Sequence, residues 1–132
     1  MDKEKYYKYL FYIGAIWNWI VAISLLFASL LFLDLIANFF GILIPPSLIW
    51  FHIVVGIIFL FGIGYYIVAK DLTKNRGVVI LGSIEKFLFF GVILLYYLLG
   101  DVNIFAILLV AVDFIFGCLY FEFLVNKGQS TG

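Results

Sequence analysis

The residues of this sequence best equipped for chemistry are a few polar side chains set in apolar surroundings. Glu85 and Lys86 stand side by side in "GSIEKFLFFG", Gly82 to Gly91. Asp113 interrupts another apolar run, and Asn18 a third. A carboxylate next to an ammonium can bind a polar group, pass a proton, or fix helices in register. Charges inside a membrane span are costly, so they face the protein interior, a partner or water. Glu85, Lys86, Asp113 and Asn18 are therefore the candidate ligand- or proton-binding residues. If all three ionise, Glu85, Lys86 and Asp113 sum to one negative charge, which makes Glu85 or Asp113 the candidate proton acceptor.

Four more residues form a secondary set. Tyr66, with Tyr65, brings a hydroxyl close to the same depth from another run. His52 reads first as an interfacial histidine bonded to a carbonyl or water, and second as a metal or proton site. In "WNW", Trp17 and Trp19 could frame a flat ligand with Asn18 as its polar handle; the alternative is that they pack or face lipid. One histidine and one cysteine, Cys118, give no basis for a metal site or bis-histidine haem, so no metal and no cofactor is expected. The run "GIGYY" lacks the third glycine of a dinucleotide fingerprint. No P-loop, H-E-x-x-H or G-x-S-x-G pattern occurs, and no residue is assigned a catalytic role.

Four helices must position these groups. A membrane helix needs about 20 mostly apolar residues, and runs near 10–33, 48–69, 78–99 and 104–125 qualify. The link 34–47 is itself apolar and is expected to lie in the interface or prolong the first helix, until Pro45-Pro46 ends it. "KDLTKNRG", Lys70 to Gly77, and "GDVN", Gly100 to Asn103, are polar turns, and 128–132 reads as a disordered tail. Lys3, Lys5, Lys8, Lys70, Lys74, Arg76 and Lys127 fall in the tails and the second connection, whereas the other connections hold Asp34 and Asp101. The positive-inside rule then puts both termini in the cytoplasm. The first span is longer than a signal-peptide core and lacks an A-x-A-like site after it, so it reads as a retained span. Phe59–Asp71 and Phe87–Asp101 look alike, but aromatic belts alone account for the likeness.

Depth and spacing bring the polar groups together. Glu85 and Lys86 sit roughly 11–12 Å from the cytoplasmic end of the third span, and Asn18 about 12 Å from that end of the first. Asp113 lies near the midplane. Gly14, Asn18, Val21, Leu25 and Ser29 share a face, as do Gly82, Lys86, Phe90, Ile93 and Tyr97, and also Ala106, Val110, Asp113, Gly117 and Tyr120. Neighbouring residues point about 100° apart, so Lys86 is expected in the bundle, paired with Asp113. Glu85 is left to face a neighbouring helix, Asn18 or a second subunit.

The expected fold is an all-α integral membrane antiparallel four-helix bundle with cytoplasmic N- and C-termini. The chain is 67% hydrophobic and 12% charged, too apolar for a soluble domain of 132 residues. Zero net charge and scattered basic residues exclude a nucleic-acid stripe. The run from Gly62 to Phe90 resembles small four-span prokaryotic membrane proteins, and the expected location is the prokaryotic cytoplasmic membrane. The resemblance adds no site. The lipid bilayer is the expected partner, with a homo-oligomer or a larger membrane complex beyond it. Three functions stay open. The first is binding or transport of a small solute, an amphiphile or a proton; transport by four short helices would need an oligomer. The second is a structural or accessory subunit. The third, a lipid-modifying membrane enzyme, is least favoured because no nucleophile–base pair stands out.

Overall fold

Backbone amides in lipid must be satisfied within the segment that carries them, so apolar runs of this length become helices. The computed structural model describes residues 2–130, with side chains as far as Lys127. It contains five helices: α1 (Lys3–Leu31), α2 (Leu33–Phe40), α3 (Ile49–Lys70), α4 (Arg76–Leu99) and α5 (Ile104–Ser130). All but α2 are long and apolar enough to cross a membrane. The four spans match the expected runs to within a few residues at most ends. The last helix continues to Ser130, and residues 131 and 132 of the expected tail lie outside the described residues.

The 34–47 link resolves into a separate short helix. Phe32 leaves the helical region with φ −137° and ψ 40°, yet its N–H still reaches the Ala28 carbonyl at 2.8 Å. The chain therefore turns without exposing a bare amide, and α2 follows at once. Gly41, at φ 71°, closes α2 in the left-handed conformation that glycine adopts without strain. Asn103 fastens α2 to the bundle. Its N–H donates to the Phe40 carbonyl at 2.9 Å, and its Nδ2 to the Phe39 carbonyl at 2.7 Å. Its Oδ1 meanwhile accepts from Phe105 N–H at 3.0 Å, capping α5. Phe39 stacks on Phe105 with centroids 4.7 Å apart.

Two antiparallel hairpins make the bundle: α1 lies along α3, and α4 along α5, while α3 and α4 approach less closely. The end carrying both tails is filled by large rings. Tyr7, Phe11, Tyr65, Tyr120 and Phe123 are all buried there. Phe11 stacks on Tyr120 at 4.7 Å, and Tyr65 meets Tyr120 at 4.9 Å. Tyr7 donates to Glu122 Oε1 at 3.3 Å and accepts from Asn126 Nδ2 at 2.8 Å, tying the start of α1 to the end of α5.

Glycines receive these side chains in a closed sequence around the bundle. Trp19 of α1 lies in the notch of Gly62 on α3, Tyr65 of α3 in that of Gly82 on α4, Phe87 of α4 beside Gly117 on α5, and Tyr120 of α5 against Gly14 on α1. A Cβ at Gly62 would stand 2.6 Å from Trp19 Nε1, and one at Gly82 2.5 Å from the Tyr65 ring. Each notch lets a bulky ring press close to a neighbouring backbone, the packing that membrane helices exploit in place of a hydrophobic driving force.

The polar turn between α3 and α4 is self-contained. Asn75 Nδ2 donates to the Asp71 carbonyl at 2.9 Å. Asp71 Oδ1 accepts from the Thr73 hydroxyl at 2.7 Å and from its N–H at 3.0 Å. These bonds hold the Asp71 carboxyl below the usual carboxylate range.

Candidate functional site

The structure gathers Asn18, Glu85, Lys86 and Asp113 into one layer between the hairpins. Lys86 is the hub and is fully buried. Its Nζ donates to Asn18 Oδ1 at 2.6 Å and to Asp113 Oδ1 at 2.7 Å, with Glu85 Oε2 4.0 Å away. The Tyr65 and Phe116 rings face the same ammonium at 5.5 and 5.8 Å, close enough for cation–π attraction. Asn18 passes the link on: its Nδ2 donates to the Ile58 carbonyl of α3 at 3.0 Å. Lys86 from α4, Asn18 from α1 and Asp113 from α5 thus join all four spans. Ser83 adds a bond from its hydroxyl to the Gly117 carbonyl at 3.1 Å.

Glu85 was expected to face a neighbouring helix, Asn18 or another subunit; the neighbour is α3. Tyr65 donates to Glu85 Oε2 at 3.0 Å and also lies 3.4 Å from the Gly82 carbonyl. Of the adjacent tyrosines, Tyr65 is therefore the one in the layer. Residues one apart on a helix diverge by about 100°, and Tyr65 shares the inward face with Gly62 and Ala69. Gly62 and Ala69 stand three and four residues from either tyrosine, so the local pattern does not distinguish Tyr65 from Tyr66.

The secondary candidates lie elsewhere. Tyr66 is exposed at the tail end, 5.7 Å from Tyr12 and 6.0 Å from Trp19, with Lys70 Nζ 5.4 Å above its ring. Trp19 fills the Gly62 notch, and its Nε1 has no hydrogen-bond partner among the described residues. Trp17 is half-buried and takes no part in the hydrogen bonds of the layer. His52 pairs with a residue of α1 that the sequence did not suggest for it. Its Nε2 lies 3.1 Å from Ser29 Oγ, which also donates to the Leu26 carbonyl at 2.8 Å. The serine proton is thus engaged, which leaves His52 Nε2 as the donor. Ser29 is eleven residues from Asn18, about 16 Å along α1, so this pair is separate from the layer. Among the described residues no three His, Cys, Asp or Glu side chains gather as a metal would require.

Beyond the layer, toward α2, the hairpins part around a chamber of about 180 Å³ with an entirely apolar lining. Every helix contributes, through Leu25, Ala37, Phe51, Ile93, Ala106 and Val110 among others. Val110 and Ala106 sit one and two turns from Asp113 on α5. The side chains of the layer do not line the chamber, and Lys86 stays buried and turned to its partners. No polar surface is offered to a guest inside. No residue pattern foretells this space, since it comes from the turn at Phe32 and the return through Pro45-Pro46.

Fold and site together define an all-helical integral membrane protein with four spans, a buried ionic layer and an apolar chamber. No family model, no curated protein and no solved structure matches the chain.

Proposed function

We propose that this protein binds an amphiphile, with the apolar part of the guest seated in the chamber between the hairpins. One observation carries the reading: the space is lined wholly by apolar side chains and measures about 180 Å³. Apolar cavities of roughly 150 Å³ stay dry and take apolar guests. At membrane depth the available guests are alkyl chains. The ionic layer has a different part in this reading. Its polar groups are spent on one another, so it locks the hairpins rather than contacting the guest.

A second reading rests on that same lock. A buried, internally partnered layer is what a structural or accessory subunit would use to fix helix register. The two readings diverge at the chamber, which an accessory role leaves without a purpose.

The test is electron spin resonance of a chain-labelled, uncharged single-chain amphiphile in nanodiscs containing the protein. Binding predicts an immobilised component beyond ordinary boundary lipid. That component should vanish in Ala106→Phe and in Ala37→Phe, which fill the chamber from α5 and α2, and persist in Leu98→Phe on the lipid-facing side. Identical spectra in all four proteins, each folded by circular dichroism, would overturn the reading.

A further inference from the structure

We infer that the chamber selects amphiphiles with a positively charged amine head, bound with the alkyl chain inward and the head at the rim beside α2. This inference rests on the binding reading above and adds the charge of the guest. Two groups of observations carry it.

The first is the position of the carboxylates. One wall of the chamber is the inward face of α2. Asp34 stands in the first turn of that helix, beside the lining residue Leu33. Asp101 lies in the α4–α5 turn, two residues before Asn103, which holds the Phe39 and Phe40 carbonyls at the other end of α2. Eight residues at 1.5 Å each make α2 about 12 Å long, so an acidic residue marks each end of a short wall. Both residues are exposed, and among the described residues neither carboxylate has a hydrogen-bond or ion-pair partner.

The second is the absence of opposing charge. No lysine or arginine occurs from position 9 to 69 or from 87 to 126. Those stretches include α2, the 41–48 segment, the start of α3 and the α4–α5 turn. His52, Tyr96 and Tyr97 are the other titratable side chains near that end; His52 Nε2 is turned to Ser29, and the two phenols bring no positive charge. The rim is thus negative and the interior neutral. An anionic head there would meet unpaired carboxylates, whereas an ammonium would meet complementary charge while its chain is buried. Charge placed at the edge of an apolar site confers selectivity more than raw affinity.

The experiment is competition for the same labelled, uncharged probe in zwitterionic nanodiscs. Dodecyltrimethylammonium and dodecyl phosphate are compared at matched amounts in the disc. The ammonium is expected to displace the probe at a concentration about fivefold lower, as suits rim contacts with two solvated carboxylates. The preference should shrink toward unity in Asp34→Asn/Asp101→Asn, and in high salt, which screens exposed charges. Equal displacement by both heads, or a preference that the double substitution leaves intact, would overturn the inference while leaving chamber binding in place. Loss of the Ala106→Phe-sensitive probe signal itself would instead defeat the binding reading and this inference with it.

Discussion

Replacing Lys86 by methionine tests the lock directly. Methionine matches the length of the lysine stem and leaves no large void, so the loss is confined to the ammonium. Two short bonds disappear, to Asn18 at 2.6 Å and to Asp113 at 2.7 Å. Glu85 loses the cation 4.0 Å away at the same time. What remains is an orphaned amide oxygen and two carboxylates with no cation, in a layer where Asn18 and Glu85 are buried and Asp113 is partly so. Breaking a buried pair by removing one member costs about 3–5 kcal/mol, and Lys86→Met is expected in that range. This is well above the ~0.6 kcal/mol average for neutral hydrogen bonds between membrane helices. Replacing both partners, Lys86→Met with Asp113→Leu, should recover most of the loss, because an apolar pair leaves less to satisfy. The measurement is reversible unfolding in mixed micelles with increasing denaturing detergent, followed by tryptophan fluorescence. A cost below about 1 kcal/mol for the single change, or a double variant as unstable as the sum of its parts, would refute the account of Lys86 as hub.

Three further outcomes follow from particular contacts. Gly14→Ala drives a methyl group into the Tyr120 hydroxyl and should cost about 1–3 kcal/mol. Tyr120→Phe removes that hydroxyl, which has no partner among the described residues; alone it should be neutral or stabilising, and it should rescue Gly14→Ala, both read from the same unfolding curves. Asn103→Ala removes the side-chain bond to the Phe39 carbonyl and the cap on Phe105 N–H, leaving only the backbone bond to Phe40, and should cost about 1–2 kcal/mol, with hydrogen exchange rising in α2 and the 41–48 segment while α4 is unchanged. The Asp71 carboxyl is depressed, chiefly by the Thr73 hydroxyl. Its contribution to the turn is therefore full above the unfolded value of about 3.9 and is lost as pH falls through the folded value. Amide exchange at Thr73, followed from pH 6 downward and corrected for intrinsic rates, should accelerate only at the acid end, and Asp71→Asn should flatten that response.

The spans were legible because lipid imposes a crude rule: enough consecutive apolar residues must be helical. Turns were legible from charge and from Pro45-Pro46. The partnership of Lys86 with Asp113 followed from depth plus a four-residue turn, which forces α4 and α5 together. Tyr65 was harder, because "YY" offers two hydroxyls equally placed against Gly62 and Ala69, and only the packing of α3 on α4 separates them. Ser29 and His52 were read separately, since nothing local links residues 23 apart. The chamber was least visible. It depends on how far two hairpins splay and on where a short helix folds back, and both are set by contacts such as Asn103 with Phe39 and Phe40 that carry no distinctive pattern. No G-x-x-x-G lies within the spans, and the close packing comes instead from single glycines, Gly14, Gly62, Gly82 and Gly117, each of which seats a ring from another helix.

The ionic layer also has a bearing on how the chain is made. Ribosomes deliver the helices in order, and α4 emerges carrying Glu85 and Lys86 while Asp113, 27 residues behind Lys86, is still inside the ribosome. Lysine or aspartate near the centre of a span costs roughly 2.5–3.5 kcal/mol on insertion, so α4 is the least willing of the four to partition alone. Asn18 is already in the bilayer by then, on α1, with its amide oxygen available. The economical route holds α4 at the insertion machinery until α5 arrives and releases the two together as a neutralised hairpin. A chain truncated within the α4–α5 turn, around Asp101, would lack Asp113 and present an unneutralised lysine to lipid or to the machinery that clears failed membrane proteins. The side chains that lock the finished bundle would thus also mark the unfinished one.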